Sequence, residues 1–431
     1  MKQFSFLVTA LFWGLITYGQ ITVSTFAGSG AQDNLDGVGV QASFFIPTGI
    51  VFDASGNLFV ADLYNHVIRK ITPNAEVTTF AGSGTPGSID RLGTTASFYY
   101  PNSLAIDTNG NLYVSDMTNN KIRKITPSGL VTTFAGSGTY GGEDGTGISA
   151  SFKTPKGLVF DTSGNLYVAD SGNNKIRKIN TVGEVTTFAD LNAIDILEGI
   201  VKFGGFTYLS HLVIDKSGNL FASCEYNNKI RKITPGAVIS TFAGSGTNGS
   251  TDGTGINATF FLPTGLAIDT NENIYVCDQF SNKIRKITPS AVVNTYAGSG
   301  RSGSLDGLAN IARFEGPSGL TFDSSGVLYV AENSNKIRKI LEIPTTLSNT
   351  NFDISSKLNI YSSSIPDYVT VEIKDLLNPK LQVIDMTGKV VLNQNLDKDT
   401  NNISLSGLPA GLYIFKVSTS QGSATSKAIK N

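Results

Sequence analysis

Few side chains in this sequence could carry out metal or nucleophilic chemistry. The chain contains only two histidines and two cysteines, which are His66, His211, Cys224 and Cys277. A set this small forms a conventional zinc site only if carboxylates join it. No Ser/His/Asp order, phosphate-binding loop or metal-binding helix stands out. We therefore predict no catalytic residues and no metal site.

Acidic residues recur at regular positions and suggest a different kind of site. Asp-Gly pairs begin at Asp36, Asp144, Asp252 and Asp306, and a second recurring set of acids includes Asp62. A Ca²⁺ site needs several oxygens on one short loop, whereas each of these loops offers one or two. Turn capping by the Asp side chain is the better interpretation. We expect no cofactor, with Ca²⁺ as the alternative.

Basic residues recur with the same spacing as the acids. The chain has 33 Lys and Arg against 34 Asp and Glu, which gives a formal net charge of −1. One arginine returns in every repeat, at Arg69, Arg123, Arg177, Arg231, Arg285 and Arg338. Balanced charges of this kind indicate rings of ion pairs and exclude a nucleic-acid-binding track.

The two cysteines stand at adjacent positions of successive repeats. Cys224 replaces an Asp of the other repeats, and Cys277 replaces an Ala. Side chains at adjacent strand positions point to opposite sides, so the two thiols either face each other or face away. A disulfide would require an oxidising compartment. The sequence leaves the pairing of Cys224 with Cys277 open.

The elements that position these residues are copies of one segment. Residues 161–179 read DTSGNLYVADSGNNKIRKI, and the same frame returns with a leading Asp53, Asp107, Asp215, Asp269 and Asp323. The period is 54 residues without drift. A constant period of this length indicates a repeat architecture.

Each period contains four strand-like runs. In the third copy they are residues 157–160, 165–169, 175–179 and 184–188. Gly, Asn, Asp and Ser at the junctions favour tight antiparallel turns, and no helical period is present. Four short antiparallel strands per repeat describe a β-propeller blade, with an open β-solenoid as the alternative.

The two ends of the array favour a closed ring. The fourth-strand motif TFAGSG appears at residues 25–30, before the first complete copy, and no such strand follows Ile340. In a ring the N-terminal strand would complete the last blade and remove its unpaired edge. The sequence thus predicts an all-β, six-bladed propeller of four-stranded blades.

A second periodic motif lies between the fourth strand of one blade and the first strand of the next. Its phenylalanine predicts a ring of aromatic packing between the blades. These residues are Phe44, Phe98, Phe152, Phe206, Phe260 and Phe314. The fourth copy departs from the pattern over residues 189–212, where it loses both AGSG and the Pro-x-Gly start. This blade breaks the symmetry.

The remaining residues predict three further segments. Residues 1–19 read as a signal peptide, with Lys2, an apolar run over 4–16 and a small Gly19. The propeller is expected over 20–341, a polar linker over 342–352 and a small β-sandwich over 353–431. No other stretch is apolar enough to cross a membrane, so no transmembrane segment is expected.

The repeated frame resembles the NHL repeat. The frame NLYVAD is followed by a turn and, in the first copy, by Asn65-His66-Val67. The resemblance covers about residues 21–340 in six tandem copies. It implies a six-bladed propeller.

The C-terminal part resembles the C-terminal sorting domain of the type IX secretion system. Residues 381–391 (LQVIDMTGKVV), 408–413 (LPAGLY) and 427–430 (KAIK) carry the resemblance. The usual Pro-Asn-Pro near the start is replaced by Ser362-Ser363-Ser364. The resemblance implies the type IX machinery as a partner and a secreted or outer-surface location.

Five residues are predicted to bind a ligand at the channel mouth and rim of the ring. They are His211, Ser210, Tyr208, Lys156 and Asn102. His211 stands where most copies have Gly at the start of the innermost strand, and drift in a decayed repeat is the alternative explanation. For His66, which replaces an Asn of the other copies, we predict a structural role in a turn.

These features predict a secreted or cell-surface propeller that binds an extracellular protein or glycan. Some six-bladed propellers related to the NHL family are metal-dependent lyases or lactonases. A hydrolase or lyase with its site at the channel mouth around His211 is therefore the alternative. Symmetric repetition argues against catalysis, because a catalytic centre needs unlike residues that converge on one point.

Overall fold

Short antiparallel strands joined by Gly- and Asn-rich turns form the ring that the sequence predicts. The structure is a computed structural model and describes residues 20–192, 208–343 and 358–430, the last with gaps at 363–366, 375, 377, 386–387, 398 and 420–421. Residues 20–343 form one unit, and the chain from Pro344 belongs to a second. The predicted signal peptide, Phe206 and most of the predicted linker lie outside the described residues.

The strands of the ring follow one another in the predicted order. The first strand and those of blades one to three are β1 (Gln20–Ala27); β2 (Gly37–Val38), β3 (Pro47–Phe52), β4 (Leu58–Asp62), β5 (Val67–Ile71), β6 (Glu76–Ala81); β7 (Pro101–Ile106), β8 (Leu112–Asp116), β9 (Lys121–Ile125), β10 (Val131–Ala135); β11 (Gly145–Thr146), β12 (Pro155–Phe160), β13 (Leu166–Asp170), β14 (Lys175–Ile179) and β15 (Glu184–Asp190). Those of blades four to six are β16 (Leu209–Ile214), β17 (Leu220–Cys224), β18 (Lys229–Ile233), β19 (Ile239–Ala243); β20 (Gly253–Thr254), β21 (Pro263–Ile268), β22 (Ile274–Asp278), β23 (Lys283–Ile287), β24 (Val292–Ala297); β25 (Gly307–Leu308), β26 (Pro317–Phe322), β27 (Leu328–Glu332) and β28 (Lys336–Ile343).

Single turns of 3₁₀ helix lie in the loops. They are Gly39–Gln41, Leu63–Asn65, Gly93–Thr95, Gly147–Ser149, Ser171–Asn173, Gly255–Asn257 and Gln279–Ser281.

The six-bladed propeller is confirmed, and β1 closes the ring as predicted. This strand lies between β25 and β28 and pairs antiparallel with both. Its register extends from Ala27 opposite Ile337 to Gln20 opposite Ile343. Strand β28 therefore continues to Ile343, two residues beyond the predicted propeller end, because the eight-residue β1 gives it a partner. The first strands of the blades are neighbours around the ring, and β26 lies next to β3.

Four blades have a fifth strand that the sequence analysis missed. The two-residue strands β2, β11, β20 and β25 each pair with the outer strand of their blade. The loop then continues along that edge, where the Gly39 N–H donates to the Ala75 carbonyl at 2.8 Å. This pairing covers part of an edge that would otherwise expose backbone donors and acceptors.

The apolar core consists of clusters between consecutive blades. Each cluster joins strands of two neighbouring blades, including one shared by blades six and one. The predicted phenylalanine ring is part of this core, and its five described members are fully buried. They are Phe44, Phe98, Phe152, Phe260 and Phe314. Each contacts the arginine of its own blade, with the guanidinium carbon 5.2–5.4 Å from the ring centroid.

These arginines are fully buried and paired with acids, as predicted. In blade one, Arg69 donates to Asp62 at 3.1 Å and to Asp36 at 2.8 Å. Four further blades repeat this arrangement, with Arg123 between Asp116 and Asp90, Arg177 between Asp170 and Asp144, Arg285 between Asp278 and Asp252, and Arg338 between Glu332 and Asp306. A buried guanidinium requires such partners.

The inner acid of each pair is itself buried, and this changes its titration. Burial raises the pKa of Asp62 to about 6, although hydrogen bonds from Asn65, Phe45 and Arg69 oppose the shift. The acids are thus structural, which agrees with their predicted role in turns. In blade four Cys224 replaces the inner acid, and Arg231 instead donates to the Thr241 hydroxyl.

The same side-chain hydrogen bond links neighbouring blades at five of the six blade-to-blade contacts. An asparagine in left-handed conformation follows the second strand, and its side-chain oxygen accepts a backbone N–H of the next blade. Asn120 accepts from Thr154 at 3.0 Å, and in blade one His66 Nδ1 accepts from Tyr100 at 3.2 Å. The structure thus gives His66 a turn role, as predicted, and the imidazole replaces the amide oxygen.

The C-terminal unit contains two antiparallel sheets, which agrees with the predicted β-sandwich. Its strands are β29 (Leu358–Ser362), β30 (Tyr368–Ile373), β31 (Lys380–Ile384), β32 (Val390–Asn395), β33 (Thr400–Ser404), β34 (Gly411–Thr419) and β35 (Gly422–Lys430). The sheet orders are β29-β30-β33 and β32-β31-β34-β35. Val371 and Ile403 from the first sheet and Val383 and Phe415 from the second share one buried core.

Candidate functional site

The inner strands begin at a polar ring around the channel mouth. Each blade contributes one residue to it, and these are Thr48, Asn102, Lys156, Ser210, Thr264 and Ser318. Hydroxyls in this ring bond to the neighbouring blade, since Thr48 donates to the Asn102 carbonyl and Ser318 donates to the Pro47 carbonyl, both at 2.8 Å. The shorter side chains therefore join blades, whereas Asn102 and Lys156 extend further.

Glycine at the next position keeps the channel mouth narrow. A Cβ added to Gly157 would lie 2.6 Å from His211 Cα, and one added to Gly319 would lie 2.1 Å from the Thr48 carbonyl oxygen. Both distances are too short for any side chain, so the inner strands approach backbone to backbone. The mouth cavity that remains has a volume of only about 110 Å³, and Asn102, Ser210 and His211 lie in its lining.

His211 lies between this cavity and an apolar channel. The channel below has a volume of about 360 Å³ and is lined by the first strands of all six blades. His211 Nδ1 accepts a long hydrogen bond of 3.4 Å from the Leu266 N–H. Burial lowers the pKa of His211 to about 4. The imidazole is therefore neutral at physiological pH.

A metal site around His211 finds no support in the described residues. Across residues 20–192, 208–343 and the described part of 358–430, no three His, Cys, Asp or Glu side chains lie close enough to hold a metal ion. Cys224 and Cys277 are both buried and do not form a disulfide, so the pairing that the sequence left open is absent.

A larger opening lies over blade three. It is on the face that carries the turns between the second and third strands of each blade and the loops that connect consecutive blades. We call this face the loop face. The opening, which we call the blade-three recess, has a volume of about 880 Å³ and includes the predicted residues Asn102, Lys156 and Tyr208. Its other lining residues are Leu63, Met117, Tyr140, Gly141, Gly142, Lys153, Thr154, Gly172 and Asn173.

The recess lies where blade three lacks an aromatic pair that blades one and five have at the same place. In blade one Phe45 stacks on Tyr64 with ring centroids 4.9 Å apart, and blade five has Phe261 against Phe280 at 5.2 Å. In blade three the corresponding residues are Lys153 and Gly172. Two aromatic rings are thus replaced by one flexible side chain and a hydrogen atom.

Blade three keeps the backbone hydrogen bond that blade one makes at this place. The Gly172 N–H donates to the Lys153 carbonyl at 2.8 Å, and the Tyr64 N–H donates to the Phe45 carbonyl at 3.1 Å. Asn173 Nδ2 donates to the Gly141 carbonyl at 2.7 Å and holds the side of the recess in place. The recess is therefore built into an ordered scaffold.

Lys156 is held at the edge of the recess by residues of blade four. Its ammonium lies 2.9 Å from the Glu225 carboxylate and 5.4 Å from the Tyr208 ring centroid. The Tyr208 ring packs against Tyr226, with centroids 4.9 Å apart. Both members of the ion pair are mostly buried, with 15% of each side chain exposed.

The structure brings the five predicted site residues to one face of the ring. Asn102 lines both the mouth cavity and the recess, so the two groups of residues adjoin. Three further lining residues were not predicted from the sequence, namely Tyr140, Lys153 and Gly172. The signal for the last two was present in the aligned repeats, because Lys and Gly replace aromatic residues at those positions.

Comparison with known families matches both parts of the chain. Residues 98–125 and 152–179 match the NHL repeat. Residues 359–431 match the secretion system C-terminal sorting domain.

Known relatives are similar over most of the ring. NHL repeat-containing protein 2 of Homo sapiens is 26% identical over 383 residues, which cover 77% of this chain and 52% of that protein. Protein SUPPRESSOR OF QUENCHING 1, chloroplastic, of Arabidopsis thaliana is 28% identical over 327 residues, which cover 73% of this chain and 26% of that protein. The chain thus spans about a quarter to a half of the length of these relatives.

A solved structure shares the fold. The crystal structure of an auxiliary nutrient binding protein from Bacteroides ovatus matches with a TM-score of 0.58 and 19% identity. The match covers 75% of this chain and 77% of that chain. An identity this low establishes a common fold alone.

Proposed function

Because the chain is an NHL-repeat β-propeller followed by a secretion system C-terminal sorting domain, we propose that it is exported and binds a ligand outside the cell without converting it. The proposed site is the blade-three recess together with the adjoining channel mouth. The ligand we propose is a glycan.

One comparison supports export. The C-terminal match implies the type IX route and hence a secreted or outer-surface location. In the part of the chain that the structure describes, no helix has the length and apolarity to span a bilayer.

The observation that carries the binding proposal is the local loss of an aromatic pair in a repetitive scaffold. Five of the twelve lining residues of the recess are Lys153, Lys156, Tyr140, Tyr208 and Asn102, which offer charge, aromatic faces and an amide. Small-molecule sites are concave and combine apolar surface with a few polar groups. The volume of about 880 Å³ lies within the usual range for such sites.

The shape of the site favours a glycan over a protein. A protein partner would need a contact surface of about 800 Å² per side, whereas the recess is a local depression between loops. The solved structure with the same fold is an auxiliary nutrient binding protein.

The proposal is tested by screening the chain from Gln20 onward against a glycan array and measuring hits by calorimetry. The informative variant is Lys153→Phe with Gly172→Tyr, which copies the Phe45 and Tyr64 pair of blade one into blade three. A Cβ at residue 172 would lie 2.8 Å from the Lys153 carbonyl oxygen, so the turn must shift slightly to accept the tyrosine. We expect the variant to lose binding, because the new rings occupy the recess, and thermal unfolding checks that it remains folded.

The matched control is Phe280→Gly, which removes an exposed aromatic side chain from the loop face of blade five. This variant should bind as the unmodified chain does. Absence of any glycan ligand, or unchanged affinity in the filled variant, would overturn the proposed function.

A further inference from the structure

One lysine joins the two sheets of the C-terminal unit. Lys430 is the last residue of β35, which is an edge strand of the four-stranded sheet. Its Nζ donates to the Leu405 and Leu408 carbonyls, both at 2.8 Å, and lies 3.3 Å from the Asp367 carboxylate. Asp367 precedes β30 and Leu405 follows β33, and both of these strands belong to the three-stranded sheet. The lysine thus fastens the edge of one sheet to the other sheet.

The ammonium of Lys430 is fully used by these contacts. An ammonium has three N–H donors, and the two carbonyls and the Asp367 carboxylate supply three acceptors. Only 11% of the Lys430 side chain is exposed. The charge of this lysine is therefore committed inside the C-terminal unit.

The loop that accepts the lysine is itself held by the backbone. The Leu405 N–H donates to the Asp367 carbonyl at 2.7 Å, and the Leu408 N–H donates to the Leu405 carbonyl at 2.9 Å. The three acceptors of Lys430 thus belong to one hydrogen-bonded group, which the lysine connects to β35.

The same contacts connect two of the runs that carry the resemblance to the sorting domain. Lys430 ends the KAIK run, and Leu408 begins the LPAGLY run. Tyr413 ends the LPAGLY run, where it is buried and donates to the Pro409 carbonyl at 2.7 Å. The residues of these two runs therefore hold each other in place.

We infer that Lys430 serves export as an intramolecular clamp that keeps the sorting domain folded, and that the type IX machinery does not contact its ammonium directly. This inference rests on the proposed export and specifies what the KAIK run contributes to it. The machinery would then recognise the folded sandwich.

The first variant is Lys430→Met, which keeps the aliphatic part of the side chain and removes the ammonium. In a host with type IX secretion, its export should fall several-fold, because loss of stability reduces the amount of folded protein. In the purified chain from Gln20, protease should cleave the C-terminal unit about tenfold faster. Cleavage follows the population of the opened state, which rises when a charge-assisted hydrogen bond is lost.

The second variant distinguishes a clamp from a direct contact. Asp367→Asn keeps Lys430 and removes its anionic partner, and Asn tolerates the left-handed backbone of residue 367, with φ of 63°. Export and protease resistance should both fall, with cleavage about threefold faster, because the Asp367 side chain is 46% exposed and the ion pair is weaker. If the machinery bound the ammonium directly, this change would release the lysine and export would not fall.

The control is Lys380→Met, which removes an exposed lysine of β31 in the same unit and should change neither measurement. Lost export of Lys430→Met with normal protease resistance would show a direct contact and overturn the inference. Normal export of Asp367→Asn would overturn it as well.

The export assignment itself is tested separately, by removal of residues 411–431. If the shortened chain were trapped while both point variants were exported normally, the clamp alone would be wrong. If the shortened chain were exported normally, the clamp and the proposed export signal would both be wrong.

Discussion

The two histidines show how one residue type has different consequences at different positions of the repeat. His66 replaces an asparagine and preserves its hydrogen bond to the next blade. His211 replaces a glycine and places an imidazole against a largely apolar channel. Burial lowers the pKa of both, and the pKa of His211 falls to about 4.

His211 should make the stability of the protein depend on pH. Its pKa is near 6.5 in the unfolded chain and about 4 when folded, so the unfolded chain binds the proton more tightly. The free energy of unfolding that the neutral His211 contributes therefore decreases as the pH falls through 6.5, and this contribution is gone below about 4. The loss is at most about 3 kcal/mol. We expect His211→Asn to resist this loss in urea unfolding at pH 7.5, 5.5 and 4.5.

The control is His66→Asn, which restores the residue that the other described blades have at this position. The variant with both changes should show no histidine contribution in this pH range. The remaining pH dependence then belongs to the carboxylates. The raised pKa of buried Asp62 acts in the opposite direction to that of His211, whereas the lowered pKa of Asp90 and Asp144 acts in the same direction. Parallel curves for the unmodified chain and His211→Asn would show that the imidazole is not buried in the channel.

Among the elements, β1 closes the ring, because this N-terminal strand pairs with β25 and β28 of the last blade. Val23 in this strand is 2% exposed and lies opposite Ile340 of β28. Val23→Asp should lower the free energy of unfolding by at least about 3 kcal/mol, because it buries a charge without a partner. Denaturant unfolding of purified protein measures the change.

The neighbouring Ser24 provides the matched control, since its side chain is exposed on the same strand. Ser24→Asp should change stability by no more than about 0.5 kcal/mol. If both variants were equally stable, closure of the ring by β1 would not contribute to stability.

Most of the elements were predictable because the same pattern recurs with a constant period. The KIRKI run of the third repeat is strand β14 from end to end, and the split blade predicted closure by β1. The two-residue strands were not predicted, because each begins with glycine, which is depleted in strands, and two residues are too few to show an alternating pattern. Whether such a short segment forms a strand depends on its position in the folded protein.

For the molecule as a whole, the C-terminal unit should direct export. Removal of residues 411–431 deletes β34 and β35, which form half of the four-stranded sheet. In a host with type IX secretion, the shortened chain should accumulate in the periplasm. Fractionation and immunoblotting of periplasm and medium would detect it.

The control is Lys380→Gln, an exposed position of β31 in the same unit, and it should be exported normally. Export of the shortened chain at the normal level would contradict the assignment of the C-terminal unit as the export signal.

The candidate site was predictable only in part. Asn102, Lys156, Tyr208, Ser210 and His211 were predicted from their position at the start of the inner strands, which the period fixes. The recess depends on which side chains are missing, and Gly172 gives no signal until its position is compared with Tyr64. The recess results from how side chains of several blades pack, and no single sequence motif predicts it.

Closure by β1 also sets the timing of folding during synthesis. Gln20 is made early, but its partner Ile343 emerges about 320 residues later. At about 5–20 residues per second, the first strand waits roughly 15–65 s for its partner. A circularly permuted chain with β1 placed directly after β28 would make the last blade contiguous. Its ring should close faster, because the two partner strands then form a local hairpin.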